Sequence, residues 1–176
     1  MSHQLPTDCL IKIFEILEDN KTTLYSCLLV NRHWCKISVV ILWRNVWNFE
    51  RSSDNRLRIP SVDAAILSTL VTCLPSESKE LLNKNEISIS TPTSKPPLFN
   101  YAAFCKVLSI YKICETIDHI VWEGRINKNN LVAKEILKMF MNQISSLKSL
   151  TYYPNYLRFD PSNIINIFYL LSRSKS

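Results

Sequence analysis

The chain has 176 residues, of which 47% are hydrophobic and 20% charged, a globular composition and not a disordered one. Its single glycine, Gly124, excludes a Walker loop and a dinucleotide-binding fingerprint, because both need several glycines for backbone to approach phosphate. The net charge of +6 lies entirely in residues 79–176, since residues 1–78 carry eight basic and eight acidic side chains.

Residues 5–17 form the first predicted helix. Pro6 suits the first helical position, and Asp8 places negative charge in the first turn. On a helical wheel at 100° per residue, Ile16, Cys9, Ile13, Leu17, Leu10 and Phe14 follow one another across an arc of roughly 160°. A helix facing a single core needs an apolar stripe of about 100°. The extra width predicts a second surface that buries apolar area. Thr22 or Thr23 can cap a short second helix carrying Leu24, Cys27 and Leu28. Asn31 can cap a third carrying Trp34, Ile37 and Ile41. Three short helices make a core too small to be comfortably stable alone, which also points to a partner surface.

Residues 46–49 are expected to form a short strand, and 50–60 a polar loop. Ser61 opens a helix with Val62, Ala65, Ile66 and Leu70, and Pro75 starts another that ends near Leu82. Residues 83–97, rich in Ser, Thr, Asn, Lys and Pro, form a linker. Beyond it, Asn100 precedes a helix with Tyr101, Phe104, Cys105, Leu108 and Tyr111. Asn129 or Asn130 precedes one with Leu131, Ile136, Leu137, Phe140 and Ile144. Asp160 and Pro161 open one with Ile164, Ile167, Phe168 and Leu171. These starts recur about every 30 residues, a repeat-like spacing. Strands are expected at 117–122 and 147–153. The last helix either ends an unfinished repeat array or folds back to complete a small α+β domain.

The ordered set Leu5-Pro6, Ile13-Phe14, Leu17, Cys27-x-Leu29-Val30, Arg32-x-Trp34 and Leu42-Trp43 resembles the F-box family. The resemblance implies a three-helix module that docks on the Skp adaptor, which is linked in turn to cullin and RING subunits. It implies Leu5, Pro6, Leu10, Ile13, Phe14, Leu17, Leu28, Val30 and Trp34 as adaptor-facing or module-core residues. Leu5, Pro6, Leu10 and Ile13 lean to contact, whereas core and contact weigh equally for Leu28 and Trp34. Leu147, Leu150 and Tyr152 have the Leu-x-x-Leu-x-apolar spacing of a leucine-rich repeat, so the C-terminal part resembles the repeats of F-box proteins, though its asparagine-or-cysteine position is missing.

The expected architecture is therefore mostly α. It comprises an F-box domain (1–48), a helical extension (49–82), a linker (83–97) and a helix–strand, leucine-rich-repeat-like region (98–176). The implied role is a non-catalytic SCF substrate receptor, intracellular, in cytoplasm or nucleus, which binds an unnamed target protein through 98–176. The alternative is a helix-turn-helix DNA-binding domain carrying Arg32, His33 and Lys36 on its third helix, against which the neutral charge of residues 1–78 counts. No cofactor, metal, nucleic acid or membrane partner is expected. His3, His33 and His119 lack triad or metal-cage neighbours, and the cysteines have neither zinc nor redox spacing. They are expected to be reduced thiols, mostly buried. No apolar run is long enough to cross a bilayer, and no signal peptide is apparent. The basic second half is read as a lysine-rich solvated surface in preference to a site for an acidic partner.

Overall fold

The computed structural model describes residues 5–47, 62–89, 96–121 and 126–153. Among these the chain is mostly helical. In order come α1 (Thr7–Ile16), α2 (Lys21–Cys27), α3 (Arg32–Arg44), α4 (Val62–Thr72), α5 (Ser76–Lys84), α6 (Tyr101–Phe104), β1 (Val107–Ser109), α7 (Ile110–Ile120), α8 (Ile126–Gln143) and β2 (Ser149–Thr151). One contiguous apolar cluster runs from Leu10 and Phe14 through Leu67 and Leu70 to Ile136 and Phe140.

α3 is the hub. Its Ile37, Val39, Ile41, Leu42 and Trp43 are buried, and it packs against α1, α2 and α6. The Asn31 side chain accepts a hydrogen bond from the Trp34 backbone N–H at 2.9 Å, the expected cap. α2 is capped differently from expectation. Asn20, not Thr22 or Thr23, receives the Thr23 N–H at 3.0 Å, which leaves both threonines inside the first turn. At the far end of α3, Trp43 stacks obliquely on Tyr101 with ring centroids 4.7 Å apart. The Arg44 carbonyl accepts the Lys106 N–H at 2.8 Å. These contacts join the three-helix unit to the rest of the chain.

Val46 and Trp47 lie in a turn with both side chains buried, so the strand expected at 46–49 does not form over its described part. α5 runs on to Lys84, and the chain then reverses through Glu86 at φ 56°. There the Ile87 N–H reaches the Leu82 carbonyl and the Glu86 N–H reaches the Asn83 carbonyl, both at 3.0 Å. This is a Schellman closure, with Ile87 and Leu82 buried together.

The region after residue 98 departs most from expectation. The helix expected to carry Tyr101 through Tyr111 stops at Phe104, where Cys105 turns extended. Lys106 donates to Arg44 on one side, and its carbonyl accepts the N–H groups of Lys148 and Ser149 on the other. Leu108 is thereby drawn into β1, which pairs in parallel with β2 in the register Val107↔Ser149, Leu108↔Leu150 and Ser109↔Thr151. Residues 117–120, expected as strand, belong to α7. Ile110, Ile113, Cys114 and Ile117 stand at i, i+3, i+4 and i+7 and are all buried, so the helical period outweighs the β-branched composition. α8 starts at Ile126, ahead of Asn129. The Asn129 amide donates to Asp118 on α7 at 2.8 Å, so it joins two helices and does not cap one. The helix starts at 101, 110 and 126 do not keep a 30-residue rhythm. The strands lie about 40 residues apart, wider than the 20–29 of a leucine-rich repeat. The β2 strand does fall within the expected 147–153. The helix expected after Asp160, and the two readings of its exposed face, lie outside the described residues.

Candidate functional site

The wide apolar arc of α1 divides in two. Leu10 is 1% exposed and Phe14 equally buried, both under α3. Leu17 is half-buried against the same core. At the other edge Ile13 is 43% exposed and Ile16 84%, and Cys9 and Pro6 are also exposed. Pro6, Cys9, Ile13 and Ile16 stand at i, i+3, i+7 and i+10, one stripe of the helix that nothing in the chain covers among the described residues. Leu5 extends it at the N-terminal end.

A second exposed apolar group lies between α2 and α3. Leu29 is 79% exposed, and Val30 and Tyr25 are also largely exposed. Thr7 Oγ1 lies 3.4 Å from His33 Nε2, which sets the start of α1 beside the start of α3. Val30, three residues before His33, therefore belongs to the same end of the module as Leu5 and Pro6. Trp34 is half-buried, edge-on against Phe14, and Leu28 is half-buried on the core.

Of the nine residues named from sequence, Leu5, Pro6, Ile13 and Val30 reach the surface. Leu17, Leu28 and Trp34 straddle it, and Leu10 and Phe14 do not reach it. The contact reading of Leu10 is thus corrected: it points along the inner half of the arc and fills the module's own core. Ile16, Cys9 and Leu29 were not named as site residues, yet they are surface members of the patch. The wheel held the signal for the first two, which occupy its outer edge.

The patch rests on a fixed frame. Arg44 of α3 reaches Glu15 at 3.1 Å and Glu18 at 3.6 Å, clamping the C-terminal end of α1. Hydrogen bonds from Lys12 first, and from Arg44, hold the Glu15 carboxyl below its ordinary range. The buried residues of α3 lie between Ile37 and Trp43, in its second half, while Arg32 and Lys36 in its first turns are exposed. No group of three metal-ligating side chains gathers among the described residues.

Residues 2–48 match the F-box-like family model. No curated protein and no solved structure gives a match to the chain. The F-box-like segment coincides with α1, α2 and α3, and so with the exposed patch and the clamp beneath it. Modules of this family serve protein–protein interaction and are found in proteins that bind Skp-type adaptors.

Proposed function

We propose that this chain is a substrate-receptor subunit of an SCF-type cullin–RING ubiquitin ligase. The observation that carries the reading is the uncovered stripe Pro6, Cys9, Ile13 and Ile16 on the helix that also supplies Leu10 and Phe14 to the core. A helix this short gains from exposing large apolar groups only where a partner removes them from water. The F-box-like match supports the Skp adaptor as that partner, and in this reading the adaptor links the chain to cullin and RING subunits. Leu5, Pro6, Ile13 and Val30 make direct contact, with Cys9, Ile16 and Leu29. Leu17, Leu28 and Trp34 support them from the rim, and Leu10 and Phe14 set the angle of α1 from below. The target protein binds the region 98–176. The chain contributes proximity between target and charged carrier and performs no chemistry. Its place of action is the cytoplasm, the nucleus or both.

Co-expression with a Skp adaptor tests this. A stoichiometric complex on size exclusion is expected, and it should be lost with Ile13→Glu while helix content is kept. A chain that stays apart from the adaptor at micromolar concentration would overturn the reading.

A further inference from the structure

Residues 126–153 carry four lysines and one acidic residue, Glu135. Glu135 is buried in α8, where it accepts the Ser78 hydroxyl of α5, so its charge is withdrawn from the surface. Lys134 and Lys138 are exposed, as are Asn127 and Asn142. At 100° per residue these four fall within an arc of roughly 80°. They form the open face of a helix that packs on α5, α6 and α7.

The face continues past the end of α8, where Ser145, Ser146 and Lys148 are exposed. Lys106 Nζ donates to Ser146 Oγ at 2.8 Å, and the Lys106 carbonyl accepts the Lys148 N–H at 2.8 Å. A residue from β1's approach thus adds its ammonium to the row. None of Lys106, Lys134, Lys138 and Lys148 forms an ion pair among the described residues. Lys134 and Lys138 stand at i and i+4, where like charges destabilise a helix, and an acidic partner would reverse that effect.

The spacing also fits such a partner. Lys134 and Lys138 are about 6 Å apart along the helix axis. Alternate side chains of an extended chain recur at about 6.6 Å, so carboxylates at every second position match the two lysines. The α8 part of the face has no aromatic ring on which a nucleic-acid base could stack.

We propose that the outer face of α8, with Lys106 and Lys148, docks an extended acidic segment of a partner protein, one with Asp or Glu at alternate positions. In the ligase reading, on which this rests, that partner is the target. The basic second half is then more than the solvated surface expected from sequence.

Fluorescence anisotropy of the purified full chain with a labelled Asp-Ser repeat peptide and its Asn-Ser counterpart tests the proposal. The acidic peptide should bind about tenfold or more tighter, and its affinity should fall several-fold as sodium chloride rises from about 50 to about 200 mM. The Lys134→Glu, Lys138→Glu double variant should lose about tenfold or more, and Lys148→Glu alone about threefold, with melting temperatures nearly unchanged because these side chains are exposed. Arg32→Glu with Lys36→Glu alters the net charge equally but lies on the first turns of α3, and it should leave peptide binding within about twofold. Equal affinity for the two peptides, equal losses in the two double variants, or tighter binding of a thymidine octanucleotide than of the acidic peptide would each overturn the proposal. Adaptor capture, measured on the same proteins, should survive Lys134→Glu with Lys138→Glu. Adaptor capture without peptide binding would overturn the docking face alone. Row-dependent peptide binding without adaptor capture would support the docking face and overturn only the ligase role.

Discussion

Phe14 and Trp34 meet edge to face, with ring centroids 5.1 Å apart and planes at 72°, and so tie the buried edge of α1 to the first turn of α3. Phe14 is fully buried while Trp34 is only partly covered, so the pair spans the boundary between core and surface. The orientation of the exposed stripe depends on this contact. A double-mutant cycle with Phe14→Leu and Trp34→Leu should return a coupling of about 1 kcal/mol beyond the area lost. Urea unfolding of the four proteins measures it, and additive losses would mean that the rings are mere neighbours.

The two edges of the α1 arc should respond oppositely to mutation. Ile13→Glu is expected to change the melting temperature little and to abolish adaptor capture, because a partner would have to desolvate the carboxylate. Leu10→Ala is expected to cost about 2–5 kcal/mol of stability by leaving a cavity. A third readout is independent of mutation. Cys9 is exposed on the stripe whereas Cys105 and Cys114 are buried, so a thiol reagent should label Cys9 ahead of them. Adding the adaptor should slow that labelling. Equal labelling with and without bound adaptor would place the contact elsewhere.

Glu86 adopts a left-handed conformation that costs a non-glycine residue about 1–2 kcal/mol. Its contacts that matter are backbone ones: its N–H closes the end of α5, and its carbonyl accepts Lys128 Nζ at 3.0 Å. Glu86→Gly keeps both. It should stabilise the chain by about 1 kcal/mol, seen as a higher thermal midpoint. A loss of stability would mean that the side chain contributes more than the backbone strain removes.

Burial pushes the thiols of Cys105 and Cys114 up to about 12 from an ordinary 9.0. A raised folded pKa gives stability that is complete below the unfolded value and is lost as pH rises towards the folded one. The window therefore runs from about 9 to about 12. The chain should weaken markedly between neutral pH and about pH 10, as the unfolded thiols ionise and the folded ones do not. In the Cys105→Ala, Cys114→Ala double variant the alkaline loss should be smaller, although its stability at neutral pH is lower. Urea midpoints at the two pH values provide the comparison, and identical alkaline losses would assign the effect to other groups.

Local chemistry determined much of the first third of the chain. Asn31 caps α3 because a short side chain before an apolar-periodic run can reach its N–H groups, and no distant residue competes for it. The width of the α1 arc signalled apolar surface beyond what one core can take, since its six apolar residues cover more angle than a single buried stripe. What the arc could not convey was which edge turns inward. Leu10 and Ile13 are equally apolar, and only the placement of α3 and Trp34 buries one and leaves the other exposed. The same limit applies after residue 98. Cys105 and Leu108 extend a helical pattern in sequence, but Lys106 is held between Arg44 and Lys148, and those long-range backbone bonds impose a strand that no local period encodes. Lys21 shows it most sharply. As a sequence it is one lysine in a polar turn, and only in the fold is its ammonium buried with no hydrogen-bond partner among the described residues. Periodicity and capping act over a few residues and survive in the sequence. Burial is a property of what packs from afar, and it exists only once the chain has folded.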